Sequence, residues 1–219
     1  PVLLEKSIDS LITDKSGIYV DGTLGGGGHA AAILQRLSSG GTLIAFDKDE
    51  ESISHCRTLF RGELSKGDDS RLKIVNQSFT GVCSIEWIQG KASGFLLDLG
   101  ISSRQLDSAE KGFTYREDST LDMRFGGKGQ TAADLLNTAA EENLKQLFRT
   151  YGEEPFSRPI ARRIAEIRRA FPFETTFQLR RVIEEIVPPK MKYTSLSRVF
   201  QALRIAVNDE FTELSYTLE

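Results

Sequence analysis

Four short apolar runs rich in β-branched residues recur in the first half of the chain, at Gly17 to Thr23, Thr42 to Asp47, Leu72 to Phe79 and Gly94 to Leu99. Helical spacing fills two of the intervals, from His29 to Leu37 and from Glu50 to Leu64. Strands that alternate with helices predict an α/β fold with a parallel, doubly wound, Rossmann-like sheet, because a parallel crossover needs a helix to carry the chain back. Ligands bind such sheets at the carboxyl ends of the strands. Asp21, Asp47, Phe79 and Asp98 all fall at those ends.

After Leu99 the pattern changes. Gly100 to Gln130 is polar and turn-rich, longer than an ordinary connection in a compact domain, and is expected to be functional. Helical signals follow. Thr138-Ala139-Ala140-Glu141 matches a capping box, Ser157 and Pro159 open a segment ending near Ala170, and Thr175 or Thr176 opens another that Pro188-Pro189 stops. A last helical pattern runs from Ser195 to Leu214. The expected organisation is an α/β core over residues 1–105, an inserted all-helical subdomain over 106–197, and a helix over 198–219 returning to the core.

The turn after the first run carries the chemistry. Asp21-Gly22-Thr23-Leu24-Gly25-Gly26-Gly27-Gly28-His29 joins a strand to a helix through four consecutive glycines, which permit left-handed backbone angles and close approach of a ligand to the main chain. The spacing Gly25-x-Gly27-x-x-Ala30, with Asp47 ending the next strand, fits a dinucleotide fingerprint whose acid binds a ribose hydroxyl. Asp21 tilts the choice of ligand. A carboxylate at the mouth of the turn repels a pyrophosphate in a partly desolvated cleft, whereas S-adenosylmethionine has no phosphate and carries a sulfonium and an ammonium. His29, at the helix start, is a candidate polar contact to such a cofactor, and Phe79 a candidate aromatic face for its adenine.

At 219 residues the chain can bury a substantial core. Two cysteines, Cys56 and Cys83, are too few for a disulfide framework and have no metal spacing with His29 or His55, so no metal site is expected. No apolar run approaches the roughly 20 residues of a membrane span, and the expected location is the cytoplasm. Net charge is only −3, but its distribution is uneven: Arg158 to Arg204 holds eleven Arg or Lys against four acids. Such segregation points to a polyanion, with Arg162, Arg163 and Arg198 as candidate phosphate contacts.

The fourth strand leads into Asp98-Leu99-Gly100-Ile101-Ser102-Ser103-Arg104-Gln105-Leu106-Asp107. In enzymes that methylate an exocyclic amine, the polar loop at this place holds the target nitrogen. The amine lone pair is delocalised into the ring, so acceptors must take its N–H groups and draw it towards tetrahedral geometry before in-line attack. Asp98, Ser102 and Ser103 are the candidate acceptors; Asp98 is equally suited to holding the cofactor.

These blocks, together with Pro1-Val2-Leu3-Leu4-Glu5, Gly112-Phe113, Leu121-Asp122-Met123-Arg124, Tyr151-Gly152-Glu153-Glu154 and Phe200-Gln201-Ala202-Leu203-Arg204-Ile205 with Val207-Asn208, resemble the bacterial 16S rRNA cytosine N4-methyltransferases over nearly the whole chain. The resemblance implies S-adenosylmethionine as cofactor, with Gly27, Gly28 and His29 at its methionine end, Asp47 on the ribose, Phe79 on the adenine, and Asp98 and Gln105 lining the rest of the pocket. It implies a cytidine of 16S rRNA in the small ribosomal subunit as target. A base in folded RNA must be unstacked to present its amine. Phe113 and Tyr115 are candidate stacking platforms, and Arg124 is a candidate phosphate contact or an internal partner of Asp122.

Two departures stand out. Where the family carries His-Pro-Ala-Thr-Arg, this chain has Thr194-Ser195-Leu196-Ser197-Arg198, so the role of that histidine does not carry over. The family also continues past Asn208 with strands that complete the sheet, which implies that the last strands are missing here. The alternative readings are methylation of an amine in DNA or protein, and a non-catalytic RNA-binding or ribosome-assembly module. An NAD-dependent oxidoreductase is disfavoured by Asp21 and by the lack of a catalytic acid–base pair.

Overall fold

The computed structural model describes residues 3–102, 105 and 111–219, which form two compact units. The first, residues 1–102 with 212–219, is built on four parallel strands: β1 (Ile18–Asp21), β2 (Thr42–Asp47), β3 (Leu72–Asn76) and β4 (Ala92–Leu96). Their order is β3-β2-β1-β4, a Rossmann-like arrangement with its switch point between β1 and β4. Helices α1 (Leu4–Leu11), α2 (Gly28–Arg36), α3 (Glu50–Leu59) and the short α4 (Arg61–Leu64) flank it.

Alternation within buried strands divides the core between the two faces of the sheet. Tyr19, Leu43 and Ala45 pack with Ile33, Ile53 and Cys56 from α2 and α3. Val20, Ile44 and Phe46 pack on the other face with Phe79 and Ile88, which belong to short 3-10 turns rather than to an α-helix. β3 ends three residues before Phe79, because Ser78 turns the chain and its hydroxyl accepts the Thr80 N–H at 3.3 Å.

The second unit, residues 103–211, is helical in its described secondary structure apart from an isolated antiparallel bridge between Thr120 and Thr175. Its helices are α5 (Ala132–Thr138), α6 (Glu141–Gly152), α7 (Ser157–Ile167), α8 (Thr176–Ile186) and α9 (Lys192–Asn208). Leu144, Phe148, Ile160, Ile164, Leu179, Ile183, Leu196, Val199 and Leu203 fill its core. α6 and α9 approach so closely that a Cβ on Gly152 would stand 2.5 Å from the Arg198 carbonyl oxygen, which explains the glycine in Tyr151-Gly152-Glu153-Glu154.

Three expectations change. The capping box lies at Thr131 and Asp134, which cap α5. Thr138 is instead the last residue of α5, where its hydroxyl donates back to the Asp134 carbonyl at 2.7 Å. α9 runs unbroken through position 198 with its apolar side in the helical unit, so that unit extends to 211 and only 212–219 returns to the sheet unit. The single helix expected from Ser195 to Leu214 is two, α9 and α10 (Glu210–Leu218), parted at Asp209 with φ 52°.

Candidate functional site

The carboxyl ends of the parallel strands share one rim. Asp21 ends β1 opposite Ala45 of β2 and Leu96 of β4, Asp47 ends β2, and Asp98 follows β4 by two residues. The glycine turn is laced into this rim from both sides. Leu24 N–H donates to the Phe46 carbonyl at 2.9 Å, and Gly25 N–H to Asp47 Oδ2 at 2.7 Å. On the other side Gly22 N–H donates to the Leu96 carbonyl at 2.9 Å, and Asp98 N–H to Thr23 Oγ1 at 2.7 Å.

Gly27 is the capping residue just before helix α2, and it sits at φ +79°, where a side chain is strained. A Cβ there would also lie 2.9 Å from the Phe60 ring. Gly22 is small for a different reason: a Cβ would stand 2.6 Å from Leu97 and 2.9 Å from Phe79 Cβ, so its absence lets Phe79 reach the turn. Ser102 lies over the turn as well, its Cβ 3.5 Å from where a Gly25 Cβ would be.

Acids dominate the electrostatics. Asp21 is fully buried; its Oδ1 accepts the Thr23 N–H at 3.0 Å, and its Oδ2 has no hydrogen-bond partner. Burial pushes its carboxyl up to about 7, against the Thr23 hydrogen bond and with added repulsion from Asp47 and Asp98. Asp47 is also raised by burial, although the N–H groups of Asp49 and Gly25 pull the other way. His29 is buried at the start of α2, with Nδ1 3.7 Å from Asp98 Oδ2. Among the described residues no lysine or arginine is ion-paired with Asp21, Asp47 or Asp98; Lys48 is held by Glu213 at 2.8 Å. An arrangement of this kind attracts a cation and opposes a diphosphate.

Sequence-derived candidates therefore divide. Asp21, Gly25, Gly27, Gly28, His29, Asp47, Phe79, Asp98 and Ser102 meet around one turn of the sheet unit. Gln105 is buried and belongs to the helical unit. Ser103 lies outside the described residues, as do Leu106-Asp107 and Pro1-Val2. Two residues at the rim carry contacts that the sequence alone did not single out: Thr23 of the turn, which ties Asp21 to the backbone of Asp98, and Asp49 after β2, whose N–H binds Asp47 Oδ1 at 2.8 Å. Asp-Gly-Thr and Asp-Lys-Asp are the available signals, since Asp side chains accept backbone N–H groups two residues on.

In the helical unit the candidate RNA contacts need correction. Phe113 is buried and stacked on Phe125 with ring centroids 5.3 Å apart, so it is part of the packing rather than an exposed platform. Tyr115 stands edge-on to Phe200, and its hydroxyl is 3.0 Å from Ser197 Oγ. Arg124 forms a two-pronged pair with Asp122, at 2.7 Å through both Nε and Nη2, and its Nη1 donates to the Gly129 carbonyl. Arg162 pairs with Glu166, and Arg163 reaches Glu166 and Glu185; these pairs are solvent-exposed. Arg198 is half-buried on α9.

A parallel sheet in this order, with a glycine turn at its switch point, is the architecture of a Rossmann-like methyltransferase. Residues 1–219 match the MraW methylase family, and the chain belongs to it. It is 42% identical over 224 residues to the ribosomal RNA small subunit methyltransferase H of Nitrosomonas eutropha, covering 99% of this chain and 68% of that protein. It is 43% identical over 223 residues to the proteins of the same name from Thioalkalivibrio sulfidiphilus and Caldicellulosiruptor bescii, covering 100% of this chain and 69% and 71% of theirs.

Proposed function

We propose that this chain binds S-adenosylmethionine and methylates the N4 amine of a cytidine in the 16S rRNA of the small ribosomal subunit, in the cytoplasm. The observation that carries the reading is the convergence of Asp21, Asp47 and Asp98 on a glycine turn with no basic phosphate cradle among the described residues. The unpartnered Asp21 oxygen fits a cationic ligand, since a buried carboxyl without a donor is otherwise costly. The names of the relatives support the substrate class.

When bound, S-adenosylmethionine supplies a methyl group on a positively charged sulfur. The chain's own residues do the rest. Gly27, Gly28 and His29 are assigned to the methionine end, Asp47 to the ribose, Phe79 to the adenine, and Gln105 to the remainder of the pocket. Asp98 is half-exposed at the rim and Ser102 lies beside the turn, and both are assigned to the N–H groups of a target amine; Ser103, outside the described residues, is assigned to the same role. Held this way, the nitrogen lone pair turns towards the methyl, and positioning with electrostatics supplies the rate without a strong base. Arg162, Arg163 and Arg198 are assigned to rRNA phosphates, for which exposed arginine pairs exchange easily.

The reading is tested by mass spectrometry of rRNA nucleosides from cells lacking the protein. The expected result is the loss of one N4-methylated cytidine from 16S rRNA, restored by the wild-type gene. An unchanged nucleoside profile refutes the proposed reaction.

A further inference from the structure

The sheet unit holds four arginines, and they fall into two kinds. Arg36 is paired with Glu5 and Asp9, and Arg71 with Glu63 and the Leu34 and Leu37 carbonyls. Arg57 and Arg61 are exposed, and among the described residues neither guanidinium has a carboxylate or carbonyl partner. Both line one open groove of about 770 Å³. Ser54, Arg57, Thr58 and Arg61 reach it from α3 and α4, at the helical spacing that turns Ile53, Cys56 and Phe60 towards the core. Asn76, the last residue of the edge strand β3, lines it as well. The Ser54 hydroxyl and the Asn76 amide also have no hydrogen-bond partner among the described residues, whereas the Thr58 hydroxyl donates to the Ser54 carbonyl at 3.1 Å.

We propose that this groove binds phosphates of the rRNA strand, as an anchoring surface on the sheet unit. The inference rests on reading rRNA as the substrate. Unpaired guanidinium forks match phosphate oxygens two at a time, and hydroxyl and amide groups beside them complete the set of donors that proteins use on phosphate and sugar. An acidic protein segment would meet the same charge. Against it, Ile53, almost wholly buried, is the single apolar residue of the lining, and stable protein interfaces need apolar anchors. A lone phosphate would fill only a small part of the volume. Arg57 stands in the last turn of α3 and Arg61 opens α4, so the two forks follow one another along the groove, as phosphates do along a strand.

The groove is distinct from the cofactor turn, since none of Asp21, Gly25, Gly27, Gly28, His29, Asp47 and Phe79 lines it. One end nevertheless opens at the same rim: Asn76 is in register with Asp47, and Glu50 starts α3 three residues after it. A strand that presents a base at the rim therefore reaches the groove within the same unit. Glu50, the one acid of the lining, opposes an anion at the rim end, which places the phosphates at the Arg57 and Arg61 end.

Binding of the intact protein to small ribosomal subunits over a range of salt concentrations tests this. Replacing Arg57 and Arg61 together with alanine should weaken binding by roughly tenfold and make the slope of log affinity against log salt shallower by about 1.4, or about 0.7 for each phosphate of a single strand. Replacing both with lysine should restore most of the slope, because charge sets counterion release, but only part of the affinity, because the fork is gone. Both double variants should keep the wild-type melting temperature and S-adenosylmethionine affinity, since neither guanidinium holds another part of the chain. In the wild type, the arginine-selective reagent phenylglyoxal should modify Arg57 and Arg61 in the free protein, and bound subunits should block the reaction, as read by peptide mass spectrometry.

Unchanged affinity and slope in the alanine variant overturn the inference while leaving the rRNA reading in place. Phenylglyoxal reaction undiminished by bound subunits does the same and depends on no variant. Inorganic phosphate that raises the melting temperature of the wild type but not of the alanine variant, with subunit affinity equal in the two, makes the groove a small-anion site and refutes the RNA strand as its occupant. A wild type that binds neither small subunits nor free rRNA refutes the proposed substrate together with this inference.

Discussion

The rim of the sheet unit and the surface of the helical unit are both rich in charge, and they handle it in opposite ways. In the helical unit opposite charges are brought together: Asp122 with Arg124, Glu166 with Arg162, Glu184 with Arg180, and Glu210 with Arg204. At the rim, like charges are gathered on a glycine turn and one carboxyl oxygen has no partner. Satisfied pairs serve the fold. An unsatisfied cluster costs the fold stability and is tolerated because something else completes it. The helical unit has a milder counterpart in Glu154, which is buried with Oε1 accepting the Phe156 N–H at 2.9 Å and Oε2 unpartnered.

The largest expected effect is at Asp47. Asp47→Ala should abolish measurable S-adenosylmethionine binding in calorimetry. It also leaves the Gly25 and Asp49 N–H groups without their acceptor, so a fall in stability of about 1–3 kcal/mol should accompany it. Unchanged affinity would remove the ribose assignment and make Asp47 a residue of the turn alone.

Asp21 sharpens the same contrast through stability. Its carboxyl rises from an ordinary 3.8 to about 7 in the folded chain, so the folded state binds a proton that the unfolded state has lost. Stability from this group is fully present below about 4 and declines as pH rises to about 7. Asp21→Asn should therefore flatten the pH dependence of the ligand-free melting curve and, at pH 8, stabilise the protein by on the order of 1–3 kcal/mol, less any cost of the unpaired amide. Melting curves of the two proteins that stay parallel between pH 4 and pH 8 would show that the rim stores no such strain.

Much of the sheet unit was legible because its physics is local. A buried parallel strand must be a short apolar run, and a strand-to-helix turn with left-handed backbone calls for glycine, so β1, β2 and the Asp21–His29 turn could be read directly from the chain. The misreadings arose where a short pattern has two structural meanings. Thr131 and Thr138 both stand three residues before an acid; Thr131 caps a helix and Thr138 ends one, and only the surrounding backbone decides. Phe113 lies in a non-periodic loop, and its burial depends on Phe125, twelve positions away with no regular element to signal the contact. Asn208 was noticed only as part of a block, yet its side chain binds the Phe125 N–H and the Met123 and Arg204 carbonyls, fixing the loop against α9.

The smallest effect tests whether the helical unit's charges are as self-contained as their pairing suggests. Arg162 and Arg163 are exposed and paired with exposed glutamates, an interaction worth under about 1 kcal/mol that water and salt readily replace. Replacing both with alanine should leave the melting temperature and cofactor affinity nearly unchanged. If rRNA phosphates displace Glu166 and Glu185 in the complex, two contacts are lost and the slope of log affinity against log salt should become shallower by roughly 1.5. That shallower slope is the expected outcome, because a phosphate exceeds a lone carboxylate in charge density along an RNA strand and offers arginine the same two-pronged geometry. An unaltered slope would confine both arginines to the helical surface, and the contrast with the rim would then be complete.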